Sequence, residues 1–181
     1  MNKIDRASIL IASLLLGLTL SATGSTVATA QQAPDLIKQS RASAMSERQI
    51  RDIFNAMAAA TKQKDVNGIV KYMAPQIAIK MTLRLGKSSQ QLNLTREEYR
   101  QYLEQGFAIT QRYSSQYKNL KIQIASGGQA GTATYTLVEE ATLKGQPGRL
   151  VSTSQETVKF ERLKGQILAT AVTSTSTIEV K

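Results

Sequence analysis

From Arg112 to Val180 apolar side chains recur at every second position, and each run breaks at a short glycine-containing segment. Leu120, Ile122 and Ile124 alternate before Gly127-Gly128-Gln129. Ala133, Tyr135 and Leu137 alternate before Gly145-Gln146-Pro147-Gly148. Leu150, Val158 and Phe160 share one parity before Lys164-Gly165, and a last run covers about Ile167 to Val180. Period two belongs to the β-strand, whose successive side chains point to opposite faces. Turns this short join antiparallel neighbours. The spacing therefore predicts a meander of four long antiparallel strands with one buried face. The abundant threonines suit a pleated surface and leave the other face wet. A sheet with one apolar face needs other elements to cover it.

Those elements precede it. Ser46-Glu47-Arg48-Gln49 is a capping box: a hydroxyl for an orphan amide, with Gln49 reaching back. Behind it Ile50, Ile53, Phe54, Met57 and Ala58 fall at helical spacing, which predicts a helix from about Glu47 to Lys64. Asp65 can cap a second, shorter helix carrying Val66, Ile69, Val70 and Met73, stopped by Pro75. Ile77, Ile79, Met81, Leu83 and Leu85 alternate as one strand, Gly86-Lys87-Ser88-Ser89 turns, and Gln91 to Leu94 can return. Thr95-Arg96-Glu97-Glu98 is a second capping box. The helix behind it carries Tyr99, Tyr102, Leu103, Gly106, Phe107 and Thr110 on one face and ends near Thr110. The fold class read from this order is α+β, in one domain.

The amino terminus has the three parts of an export signal. Met1-Asn2-Lys3-Ile4-Asp5-Arg6 is net positive, Ser8 to Leu20 is apolar, and Ala28-Thr29-Ala30 fits the A-x-A cleavage pattern. The apolar run is shorter than the about 18–20 residues that a spanning helix needs. Cleavage between Ala30 and Gln31 is expected, with an uncleaved anchor as the alternative. The expected organisation is a signal peptide over 1–30, a flexible Ser/Gln/Ala-rich leader over 31–45, and a domain over 46–181 in the periplasm or secreted. A domain of about 150 residues buries roughly 70% of its unfolded surface and needs no disulfides.

The chain contains no histidine and no cysteine. That excludes a Ser-His-Asp triad, an imidazole base, a thiol nucleophile and the common zinc sites. The formal charge of +10 falls to +9 when Lys3, Asp5 and Arg6 leave with the signal. The remaining basic residues are dispersed, so a solvated surface with weak attraction to anionic envelope surfaces is expected, and no nucleic-acid partner. Gly86-Lys87-Ser88 looks like the end of a phosphate loop, but Met81 stands where the first glycine belongs, so it reads as a turn. Asn93-Leu94-Thr95 matches a glycosylation sequon, although Thr95 is explained as a helix cap. No cofactor or metal is expected.

Strand parity supplies the candidate site. Over 149–162, Leu150, Ser152, Ser154, Glu156, Val158 and Phe160 point one way, and the three large apolar side chains mark that face as inner. By the same count Gly131, Ala133, Tyr135, Leu137 and Glu139 face inward, and Thr132, Thr134 and Thr136 outward. An inward carboxylate needs a hydrogen-bond partner, a cation or a proton. Glu156 is then either a polar group of a pocket, serving as ligand contact or general base, or a rim residue paired with an Arg or Lys. Tyr72, Tyr102, Phe107 and Tyr135 are the candidate aromatic lining, and ordinary core packing is the favoured reading for each of them taken alone.

The order of elements resembles the nuclear transport factor 2-like superfamily, which includes the SnoaL-like and ketosteroid-isomerase-like proteins. The paired opening helices ending at Pro75, the strand Ile77–Leu85, the helix from Arg96 and the meander from about Tyr113 to Val180 carry the resemblance. It implies three N-terminal helices packed on a strongly curved, mainly antiparallel sheet of the cystatin-like kind. That sheet forms a cone with a pocket at its open end, and dimers are frequent. The superfamily holds isomerases, dehydratases, cyclases and non-catalytic binding domains. Its isomerase-like members use an Asp base near the first strand, with a Tyr and an acid making the oxyanion site. Here Asp5, Asp35, Asp52 and Asp65 all precede the sheet, and 76–94 holds no carboxylate. Dehydratase members rely on histidine. No catalytic position carries over. The expectation is an exported, non-catalytic domain binding a small ligand or a protein partner in or around the cone, with homodimerisation implied. The alternatives are an isomerase- or dehydratase-type enzyme using Glu156 or Glu139 with tyrosines, and envelope-surface binding through basic residues.

Overall fold

Both capping boxes form and open the two long helices. The Ser46 hydroxyl accepts from the Gln49 amide at 3.3 Å while Gln49 Oε1 accepts from the Ser46 amide at 2.9 Å. Thr95 and Glu98 repeat the exchange, at 3.2 and 2.7 Å. The computed structural model describes residues 44–181; the signal segment 1–30 and the leader through 43 lie outside the described residues. The elements are α1 (Glu47–Lys62), α2 (Val66–Val70), β1 (Met73–Leu85), β2 (Ser88–Leu94), α3 (Arg96–Ile109), β3 (Thr110–Ile124), β4 (Ala130–Leu143), β5 (Leu150–Leu163) and β6 (Gln166–Val180). The six strands form one curved sheet in the order β2-β1-β6-β5-β4-β3. Only β1 and β6 run parallel. The expected meander is β3 to β6, and the helices cover its inner face.

Parity holds along the sheet. On β4 every odd residue from Gly131 to Leu143 is buried, and on β5 every even residue from Leu150 to Phe160. From α1, Ile50, Ile53, Phe54, Met57 and Ala58 are buried, and from α3 Tyr99, Tyr102, Leu103 and Phe107. Cations finish the shorter helical ends. Arg96 donates to the Val70 carbonyl at 2.9 and 3.1 Å, closing α2. Lys64 Nζ donates to the Thr110 carbonyl at 2.9 Å, at the negative end of α3.

Three boundaries differ from expectation. Met73 belongs to β1 and not to the second helix, and Pro75 lies within that strand. The β1–β6 ladder shifts register between Met73 and Ala78. An irregularity of that kind tolerates a residue with no amide hydrogen. The return strand is longer than expected and starts at Ser88. Finally, Met45 belongs to the packed domain although the sequence placed it in the leader. It is 3% exposed, and its amide donates to the Gly128 carbonyl at 2.7 Å. Met45 precedes the N-cap and Ile50 is the fourth residue beyond it, the two positions of a hydrophobic staple. Both side chains converge on Gly131, where a Cβ would lie 3.1 Å from Met45 Sδ and 2.9 Å from Ile50 Cδ1. The staple and the glycine together fix the entry of α1 against the β3–β4 hairpin.

Candidate functional site

The ladders bring one polar layer together on the inner face. Tyr135 pairs across with Glu156, and Glu156 with Ser174; Glu139 pairs with Ser152, and Ser154 with Ser176. Tyr135 Oη donates to Glu156 Oε2 at 2.6 Å, and Ser174 Oγ donates to Glu156 Oε1 at 3.2 Å. Tyr113 Oη donates to Glu139 Oε1 at 3.0 Å. The Ser154 and Ser176 hydroxyls are 2.7 Å apart. Glu139 is 2% exposed and Glu156 8%. Among the described residues neither carboxylate makes an ion pair; the five ion pairs are surface contacts elsewhere. The Arg or Lys partner that would make Glu156 a rim residue is absent among them.

The rings enclose this layer. Phe54 of α1 meets Tyr135 edge-on at 5.2 Å between centroids, Tyr117 at 5.7 Å and Phe160 at 5.9 Å. Tyr117 and Tyr135 are 5.1 Å apart, and Tyr99 stacks on Tyr102 at 6.4 Å. Two polar atoms in this region, Glu139 Oε2 and Tyr117 Oη, are buried and make no close hydrogen bond among the described residues. A polar atom left without a partner in the interior costs about 1–3 kcal/mol, so such atoms call for explanation.

Burial sets the protonation. It pushes the Glu139 carboxyl well above the carboxylate range, the Glu156 charge adds to the push, and the Tyr113 and Ser152 hydroxyls oppose it. Burial also raises Glu156, against the Tyr135 and Ser174 hydroxyls, which favour its charged form. Tyr99, Tyr113, Tyr117 and Tyr135 are all held well above the usual phenol range, by burial first and then by the glutamates. The site thus holds neutral phenols and two carboxyls of raised proton affinity.

Of the residues singled out in the sequence, Tyr135 and Glu156 meet directly, and Tyr102 joins the cluster through Tyr99. Tyr72 packs at the edge of the core with Lys71 Nζ 4.9 Å from its ring centre, and Phe107 is core. Neither has a described polar or ring contact with Glu156. The parity count missed Tyr113 and Tyr117, and the reason is a bulge. The β3–β4 register shifts between Lys118 and Lys121, where Asn119 has a φ of 57°. One extra residue exchanges the two faces. Odd residues point inward before the bulge, and Ile122 and Ile124 after it. The detectable signal was Tyr113-x-Ser115-x-Tyr117 alternating out of phase with Ile122 and Ile124, with an asparagine between.

Among the described residues no three His, Cys, Asp or Glu side chains group as a metal site. A groove of about 840 Å³ lies at the strand ends around Leu83, Leu85, Ile178 and Val180, away from both carboxylates.

No protein-family model and no curated protein matches the chain. Solved structures do. A hexachlorocyclohexane dehydrochlorinase from Novosphingobium barchaimii superposes with a TM-score of 0.57 at 9% identity, over 74% of this chain and 88% of that one. A nuclear transport factor 2-like protein of unknown function from Pseudomonas putida gives 0.53 at 18%, over 72% and 88%. A ketosteroid isomerase-like protein from Erwinia carotovora gives 0.51 at 10%, over 71% and 94%. The chain has the nuclear transport factor 2-like fold, the α+β class expected from its element order. The neighbours' names span enzymes and proteins without an assigned function, so the fold by itself selects no activity.

Proposed function

We propose that this protein is an exported, non-catalytic binding domain that takes a small ligand against the inner face of its sheet. One observation carries the reading: Glu139 Oε2 and Tyr117 Oη are buried, lie in one aromatic-walled cluster and make no close hydrogen bond among the described residues. A guest with a polar group satisfies both, and Phe54, Tyr99 and Tyr135 supply the apolar contact such sites use. Non-catalytic action is favoured because both Glu156 oxygens already accept hydroxyl hydrogen bonds and the chain has no histidine.

A thermal-shift screen of small molecules against protein purified from cells expressing the full chain tests this. Hits are expected to lose about tenfold in affinity, the worth of one good buried hydrogen bond, in Tyr117→Phe. Equal affinity in wild type, Tyr117→Phe and Glu139→Gln places the ligand elsewhere and overturns the reading. A second reading, proton transfer on a bound substrate, rests on the two buried carboxyls being raised to different extents, the condition for an acid and a base side by side. Its mark is deuterium exchange into a bound ligand, lost in Glu156→Gln. Export belongs to the same proposal. The secreted product is expected to begin at Gln31, and intact-mass measurement checks it; a product retaining residues 1–30 removes the export assignment.

A further inference from the structure

We infer that the ligand of this inner-face site is a small organic cation, an ammonium compound held by Glu139 and Glu156 and boxed by the surrounding rings. The inference rests on the small-ligand reading and adds the ligand's charge. Two carboxylates share one interior with no cation from the protein, since among the described residues every ion pair lies elsewhere. One carboxylate oxygen, Glu139 Oε2, makes no close hydrogen bond among the described residues, although the Ser152 hydroxyl lies near enough to Glu139 to favour its charged form. The walls are π-systems: Phe54 and Tyr117 stand edge-on at 5.7 Å, Phe54 and Tyr135 at 5.2 Å, Tyr117 and Tyr135 at 5.1 Å. Aromatic faces with carboxylates are the surroundings that attract an ammonium ion when water is excluded. A divalent metal fits less well. It takes six or more oxygen ligands, or nitrogen and sulfur, and the described residues group no three acidic or soft ligands.

Charge bookkeeping fixes the pH behaviour. The titratable groups facing Glu139 are Tyr99 from α3, Tyr113 and Tyr117 from β3, and Glu156 from β5. Beside them on β4, Tyr135 holds Glu156; α1 presents Phe54 and β6 presents Ser174 and Ser176. The tyrosines stay neutral. Burial favours the protonated form of Glu139 in the empty site, and an arriving cation favours the carboxylate. Binding of the cation therefore releases a proton to solvent, and affinity rises with pH until Glu139 ionises unaided.

Paired isosteres test this on protein purified from cells expressing the full chain. Benzylamine and tetramethylammonium, with benzyl alcohol as the neutral match, are titrated calorimetrically at pH 6.5 in two buffers of different ionisation enthalpy. The expected result is at least tenfold tighter binding of benzylamine than of benzyl alcohol, with net proton release. Glu139→Gln, which keeps the shape and needs no proton, is expected to lose the preference and the release. Tyr117→Phe should weaken both compounds and keep the preference. Benzyl alcohol binding as tightly as benzylamine, with the loss in Tyr117→Phe retained, overturns the cationic assignment and leaves the small-ligand reading standing. Binding of neither series overturns both. Stabilisation by calcium or magnesium but not by either ammonium compound also overturns it.

Discussion

Phe54→Ala should lower stability by about 3–5 kcal/mol, a fall in Tm of roughly 10 °C or more for a domain of this size. Phe54 is 4% exposed, and its ring meets Tyr117, Tyr135 and Phe160 together. Deleting the ring removes its transfer free energy and leaves a hole that the sheet cannot close, because the three partners are fixed on three separate strands. The edge-on contacts add about 0.5–1.5 kcal/mol per pair beyond burial. Phe54→Leu fills most of the volume and should cost clearly less. The two melts, read with tyrosine near-UV circular dichroism, separate lost packing from lost ring geometry. If Phe54→Ala melted within 2–3 °C of wild type, about 1 kcal/mol for a domain of this size, α1 would not be the lid over the polar layer, and the site would be open on that side.

Local signals in the sequence determined most of the fold. The capping boxes at Ser46 and Thr95, the stripe from Ile50 to Ala58, and the alternation along β4 and β5 each fix an element without reference to distant residues, and all of them form. The parity that turned Glu139, Glu156 and Tyr135 inward is a property of the pleat, so it was legible from a single strand. What was not legible depends on partners. Met73 and Pro75 join β1 because β6, almost a hundred positions away in the chain, lies alongside and tolerates an irregular ladder there. Tyr113 and Tyr117 face the site because one extra residue is inserted between Lys118 and Lys121; the change of phase between Tyr113-x-Ser115-x-Tyr117 and Ile122-x-Ile124 marks it in the sequence, but which set faces inward follows only from the register with β4. Tyr72 and Phe107 were plausible lining by residue type alone, and type does not say which way a ring leans. Ser174 and Ser176 passed as ordinary strand residues, since their role comes from lying beside Glu156 and Ser154.

The protein should be more stable at mildly acidic than at mildly alkaline pH, and Glu139→Gln should remove most of that slope. A carboxyl whose folded pKa lies above its unfolded one contributes stability that is fully present below the unfolded value, near 4.5 for these groups, and lost as pH rises through the folded value. Both Glu139 and Glu156 have this sign, because burial penalises their charged forms more than the neighbouring hydroxyls favour them. They titrate as a pair, each charge opposing the other, so the loss is spread over a broad interval above 4.5. Glu98 has the opposite sign, since the Thr95 amide and hydroxyl lower it. It is exposed and unchanged in the variants, so differences from wild type cancel it. Glu139→Gln cannot ionise, keeps the acceptor for Tyr113 and should melt at or above wild type at pH 8, with a flatter profile from pH 5 to 8. Glu156→Gln should show the same effect to a smaller degree, because Tyr135 and Ser174 already offset part of its desolvation. Removing a buried charge that has no counter-charge relieves a cost, whereas breaking a buried ion pair destabilises strongly. Melting curves at pH 5, 6.5 and 8 for the three proteins decide between these cases. A Tm at pH 8 clearly below wild type in either variant would mean that a cation faces the carboxylates after all, and the unpartnered pair on which the site reading depends would be gone.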